Sequence, residues 1–205
     1  MSRYMKHALI LGCSHAAGTE MKSAVGHEHS YPCLIAKNLG YSFTNKSIPG
    51  GSNDSIFRIL EKDITSLVNI DLVIACWTGC NRTEIWNENT EQWHRLVPNG
   101  TENFIMDYAK HWFINHGEEK FGRLNKFKNI LALNYLCLSN NIRVINIDSF
   151  WPIDGYLFAN DIYWPTKENF WDWSIHNNFK KTPGGHFDLD AHKSFANLIT
   201  DSISV

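Results

Sequence analysis

The chain has 205 residues, of which 43% are hydrophobic and 20% charged, with a formal net charge of −2 and a pI near 6.5. That length suits one domain, 1–205, around one sizeable core. The near-neutral charge gives no electrostatic footprint for nucleic acid or an anionic membrane, so neither is expected as a partner.

Residues 8–12 (Ala-Leu-Ile-Leu-Gly) form a short apolar run ended by glycine, the pattern of a buried parallel strand. Residues 13–29 are polar and carry Gly18, Gly26 and three histidines, which reads as a loop or broken turn. Residues 31–39 look helical, with Pro32 at an early helical position and Gly40 as a stop. A second strand is expected within 41–48, ended by Pro49-Gly50-Gly51. Ser52-Asn53-Asp54 can cap a helix with the apolar stripe Ile56, Ile59, Leu60, Ile64 and Leu67. Residues 71–77 are a further buried strand, and about 85–120 mixes aromatics with turn residues and gives no clear element. A long helix follows over 121–139, then a strand over 142–148. Residues 150–185 are aromatic and punctuated by Pro and Gly, as in a long excursion over one face, and 188–201 closes the chain with a helix.

This alternation predicts an α/β fold: a mostly parallel sheet in a three-layer α/β/α sandwich. In such sheets ligands bind beyond the carboxyl ends of the strands, here the loops 13–20, 49–54, 78–84 and 149–187. The five cysteines are odd in number and lie in mostly apolar contexts, which argues for reduced thiols and a cytoplasmic chain. The first residues lack a signal-peptide pattern and no stretch reaches transmembrane length. Eight tryptophans, including Trp86, Trp93, Trp112, Trp151, Trp164, Trp171 and Trp173, either pack the core and loops or offer a platform for a flat ligand such as a sugar ring.

The chemistry concentrates in four segments. Gly12-Cys13-Ser14-His15 directly follows the first strand, so Ser14 is held at the sheet edge with backbone N–H groups beside it; a polar turn is the plainer alternative. Gly50-Gly51 lets the backbone approach a ligand, or simply turns before a helix cap. In Trp77-Thr78-Gly79-Cys80-Asn81-Arg82-Thr83-Glu84, Asn81 could donate to an oxyanion, while Arg82 and Glu84 could pair across the turn or contact substrate. Finally, His186 precedes the last helix and can reach the sheet edge as a general base, whereas His192 falls inside that helix and could lie on its exposed face.

In order and placement these segments resemble the four blocks of the SGNH hydrolase superfamily, the GDSL-like esterases and lipases. Gly12-Cys13-Ser14 with Gly18 is similar to the Gly-Asp-Ser block, Cys13 standing in for Asp. Gly51 maps best to the second-block glycine, with Gly50 as the alternative, and Gly79-Cys80-Asn81 matches the third block, with Arg82 in place of its Asp. His186, His192 and Ala196 fit the fourth block, but Pro183 stands where its Asp is expected. The likeness runs along nearly the whole chain and looks closest to a divergent branch associated with tailed bacteriophages, which extends the expected setting to a host cytoplasm or a virion.

The resemblance implies a flavodoxin-like SGNH fold and a serine hydrolase of carboxylic esters, with neither metal nor organic cofactor. Ser14 would be the nucleophile and His186 the base. Ser14, Gly51 and Asn81 would form the oxyanion hole, and His15, Trp77, Thr78, Arg82 and Glu84 would line the substrate site. The substrate would be a small-molecule or carbohydrate ester, with an O-acetylated sugar preferred. Asp148, Asp172, Asp188 and Asp190 remain alternatives for a triad acid. A protein that keeps this fold only for binding, or as a virion component, is the competing reading. A metal site drawing on His15, His27, His29 and His186 is a third: His27 and His29 would share a face only on an extended strand.

Overall fold

The computed structural model describes residues 5–19, 21, 27–64, 69–97, 110–114, 119–150 and 168–203. Four parallel strands, β1 (His7–Gly12), β2 (Ser42–Asn45), β3 (Leu72–Trp77) and β6 (Arg143–Asp148), form one sheet in the order β2-β1-β3-β6. A separate antiparallel hairpin pairs β4 (Thr83–Asn87) with β5 (Gln92–Leu96). The helices are α1 (Ser14–Ala17), α2 (Tyr31–Asn38), α3 (Asn53–Ile64), α4 (Glu119–Ser139), α5 (Phe170–His176) and α6 (Leu189–Ile203).

Alternation along the strands sorts the core into two layers. Ala8, Ile10, Leu72, Ile74, Cys76, Ile145 and Ile147 point to one face, under α2, α5 and α6. Leu9, Leu11, Val73, Ala75 and Trp77 point to the other, under α3 and α4. This is the expected three-layer α/β/α arrangement. Strand order reverses direction between β1 and β3, so a crevice opens at their carboxyl ends.

The four sheet strands fall where the apolar runs place them, although β2 is shorter than the 41–48 segment. Ser52 caps α3 as expected, its Oγ accepting from Ser55 N–H at 3.1 Å. Two elements departed from expectation. Ser14–Ala17 forms a helical turn inside the segment read as loop, and the hairpin β4–β5 occupies the start of the segment with no clear element. The stripe residue Leu67, the tryptophans Trp151 and Trp164, and residues 151–167 of the expected excursion lie outside the described residues. All five cysteines are free and buried. No described helix is long and apolar enough to cross a membrane.

Two buried polar contacts tie the layers together. Lys126 of α4 pairs with Asp148 at the end of β6, both fully buried, and its Nζ also donates to Phe150 O at 3.3 Å. His192 of α6 is buried rather than on an exposed face, and its Nδ1 accepts from Tyr31 N–H at 3.0 Å, at the start of α2. Burial, and secondarily the nearby His186, lowers its pKa to about 3.

Replacing Lys126 with Met leaves Asp148 buried beside an apolar side chain and is expected to lower unfolding free energy by about 3–5 kcal/mol, read by urea denaturation. His192 supplies a second expectation. Its folded pKa lies below its unfolded value of 6.5, so between them the unfolded state binds more protons and stability falls as pH falls. The loss runs from about pH 6.5 toward pH 3, with a slope approaching ~1.4 kcal/mol per pH unit. His192→Gln, which does not titrate, should flatten that slope in melts taken across the window.

Candidate active site

Ser14 sits in the first turn of α1, directly beyond β1, and is 8% exposed. Gly12 permits this geometry: a Cβ there would stand 2.6 Å from Ala16 Cβ and 2.8 Å from Cys76 Cβ. The turn is closed at its far end by Gly18 in the left-handed region at φ 70°, with Thr19 N–H donating to Ser14 O at 3.0 Å. Asn45, at the end of β2, donates from Nδ2 to Ala16 O at 2.9 Å. The serine is therefore fixed by β1, β2 and β3 together.

His186 is half-buried in a tight loop ahead of α6. Its carbonyl accepts from Thr182 N–H at 2.7 Å and from Thr182 Oγ1 at 3.0 Å, and Gly185 turns the chain at φ 92°. Lys181 and Phe187 bridge across the loop base. The loop meets the β1 loop through the ring of His15, whose centroid is 4.8 Å from that of His186. His15 is 2% exposed and lies within a shell of Phe150 at 4.9 Å, Phe170 at 5.4 Å and Trp171 at 5.5 Å. Burial is the main reason its pKa falls well below 6.5, followed by His186, His192, Arg82 and Lys181. His15 is thus a neutral ring at neutral pH, and its Nδ1 is buried with no hydrogen-bond partner among the described residues.

Other expected site residues are placed differently. Trp77 is a core residue: its indole is buried in the α3–α4 layer and donates from Nε1 to Asn146 Oδ1 at 2.9 Å. It is therefore corrected from substrate contact to packing. Thr78 is buried as well, with its N–H donating to Asn53 Oδ1 at 2.9 Å. Asn53 also donates from Nδ2 to Thr78 O and Gly79 O, which locks the second loop to the third; the sequence offered this residue only as a helix cap. Glu84 pairs with Arg58 through two contacts of 2.6 and 3.0 Å, not with Arg82, and lines the cavity beside α3. Gly51 N–H donates to Ile48 O at 2.8 Å in a turn, and a Cβ on Gly51 would clash with that same oxygen at 2.8 Å. Asn81 and Arg82 are half-buried beyond β3.

The acids named from the sequence have structural duties. Asp148 pairs with Lys126, Asp188 accepts from Ala191 N–H at 3.2 Å as a cap of α6, and Asp172 accepts from Asn169 Nδ2 at 2.7 Å at the start of α5. Asp190 is exposed in the first turn of α6. Pro183 is exposed in the His186 loop. Among the described residues no group of three or more His, Cys, Asp or Glu could hold a metal ion.

The sequence reading named Arg82 and Trp171 but missed Lys181 and Phe150, which pack with them. Arg82 lies over Phe150, its guanidinium carbon 5.5 Å from the ring centroid, and Lys181 Nζ stands 4.1 Å from the Trp171 centroid. Phe150 and Trp171 pack on each other at 5.2 Å and both touch His15. A separate cavity of about 510 Å³ lies between α3, α4 and the hairpin. Its polar wall is internally satisfied: Asp54 accepts from Thr83, Asn125 and Asn129, and Arg58 binds Glu84.

No protein-family model matches the chain, and no curated protein does. Solved structures do match it. Esterase EstA from a Pseudoalteromonas species superposes with TM-score 0.58 over 97% of each chain at 12% identity. Acetyl xylan esterase Est2A from the rumen bacterium Butyrivibrio proteoclasticus gives 0.52 at 13% identity; 99% of this chain is covered, and it spans only 64% of Est2A. Acetyl xylan esterase AlAXEase gives 0.50 at 15% identity over 96% of this chain and 99% of its own. The sheet order, the serine turn beyond β1 and these likenesses agree: the chain has the SGNH fold of the GDSL-like esterases and lipolytic proteins.

Proposed function

We propose that this chain is a serine hydrolase of carboxylic esters, with Ser14 as nucleophile and His186 as general base. The observation that carries the reading is the meeting of two loops at the β1–β3 crevice. One presents Ser14 in a rigid turn, the other presents His186, and the His15 ring joins them at 4.8 Å. His192 Nδ1 is committed to Tyr31 N–H and His15 is enclosed by aromatic rings, which favours the half-buried His186 as the histidine for proton transfer.

In this mechanism Ser14 Oγ attacks the ester carbonyl while His186 takes its proton. Ser14 N–H and the Asn81 amide stabilise the oxyanion; Gly51 N–H can join only by sharing the hydrogen it gives to Ile48 O. His186 then protonates the departing alcohol, and a water deprotonated by His186 releases the acid from Ser14. Pro183 stands in the acid's place, and the Thr182-anchored loop fixes the backbone that carries the His186 imidazole. The acetyl xylan esterases among the structural neighbours, together with the aromatic shell, favour an O-acetylated carbohydrate as substrate.

The purified chain should hydrolyse p-nitrophenyl acetate, with Ser14→Ala lowering kcat by about a thousandfold or more. Asn81→Ala should lower kcat by about a hundredfold. Wild-type protein inert on acetyl through octanoyl esters would instead favour a binding protein that retains the fold.

A further inference from the structure

Two cations frame the proposed site without a carboxylate partner. Arg82 and Lys181 form no ion pair in the described structure, in contrast to Arg58, Lys46 and Lys126, which all do. Arg82 is half-buried, and its Nη1 is buried with no hydrogen-bond partner among the described residues. A guanidinium N–H withdrawn from water without an acceptor is costly, so such a group calls for a function. Arg82 rests on Phe150 and Lys181 on Trp171 and Phe187, and the Phe150 and Trp171 rings both touch His15 beside Ser14. Both charges are thus carried by rings that pack on His15. Their fields both reach His15, whose pKa they lower after burial and the other two histidines.

Resting on the esterase reading, we infer that the substrate carries a fixed oxyanion close to the scissile ester, bound by Arg82 and Lys181. A carboxylate or a phosphate on a sugar ring supplies this chemistry. The guanidinium fork takes two oxygens of either group, while the lysine adds a point charge from the Trp171 side. A neutral acetylated sugar offers Arg82 Nη1 only uncharged acceptors, whereas an acidic one offers a charge-assisted hydrogen bond.

The test compares acetate release from three mono-O-acetylated methyl glycosides: a glucoside, a glucuronoside and a glucoside 6-phosphate. The expected kcat/KM is roughly tenfold or more higher for at least one anionic ester than for the neutral one. That preference should shrink with added salt. Which anionic ester leads identifies the carboxylate or the phosphate as the partner. The anionic-to-neutral ratio, taken within each variant, should fall in Arg82→Gln and in Lys181→Gln. Lys181 is exposed, so its variant keeps the test valid should Arg82→Gln fail to fold.

Hydrolysis of all three esters with no charge preference, or a preference untouched in the folded variants, overturns the inference and leaves the esterase reading standing. Should none be hydrolysed, calorimetry of the same glycosides on Ser14→Ala protein decides. Tighter binding of an anionic glycoside that is lost with Lys181→Gln upholds the inference while the esterase reading falls. Equal or absent binding of all three overturns it.

Discussion

The site depends on one close approach. Gly12 brings the first turn of α1 down onto the end of β3, where a methyl group would strike Ala16 and Cys76. Everything placed around Ser14 follows from that contact. Because α1 lies flat against the sheet, Asn45 can reach its last carbonyl, and the His15 ring can enter the aromatic shell rather than solvent. A strand ending in any larger residue would lift the turn and separate the β1 loop from the His186 loop. The same economy governs the second loop, where Gly51 passes so close to Ile48 O that only hydrogen fits. Two glycines thus set the floor of the crevice, and Asn53 ties that floor to the β3 loop through Thr78 and Gly79.

Around this floor the molecule separates buried charge that is neutralised from charge that is held open. Lys126 and Asp148 meet in the interior behind β6, and Arg58 and Glu84 close the wall of the second cavity. These pairs mainly fix geometry, because desolvation offsets much of their attraction. Arg58 also lies over a ring, that of Trp93, so what sets Arg82 and Lys181 apart is ring support without an ion pair among the described residues. An aromatic face partly replaces water for a cation without using its hydrogen-bonding capacity. Such a support keeps a charge in place while leaving its N–H groups available.

Much of the fold was legible because strands and helices announce themselves by period. The runs at 8–12, 71–77 and 142–148 became β1, β3 and β6 nearly as read, and the Ser52 cap is real. Ser14 and His186 lie next to the elements the sequence predicts, because both adjoin strongly patterned segments. Side-chain fates were less legible. Trp77 and Thr78 look like site residues beside Asn81, yet the strand's alternation turns Trp77 inward and Asn53 captures Thr78 through its main chain. Glu84 found Arg58, a partner 26 positions away that no local pattern reveals. Lys181 and Phe150 carried no motif at all. Their role emerges only when distant loops bring rings and charges together.

The hydrogen bond from Tyr31 N–H to His192 spans 161 positions of sequence. Ser14 is made well before the loop carrying His186 and the helix that packs on α2. At about 5–20 residues per second on the ribosome, the serine turn waits many seconds for its counterpart. Until then α2 lacks the imidazole acceptor at its first turn, and the apolar face meant for α6 is uncovered. Nascent chains of this protein therefore pass through a stage in which Ser14 has no His186 beside its crevice, and chaperones that shield apolar faces can act on α2 until α6 leaves the exit tunnel.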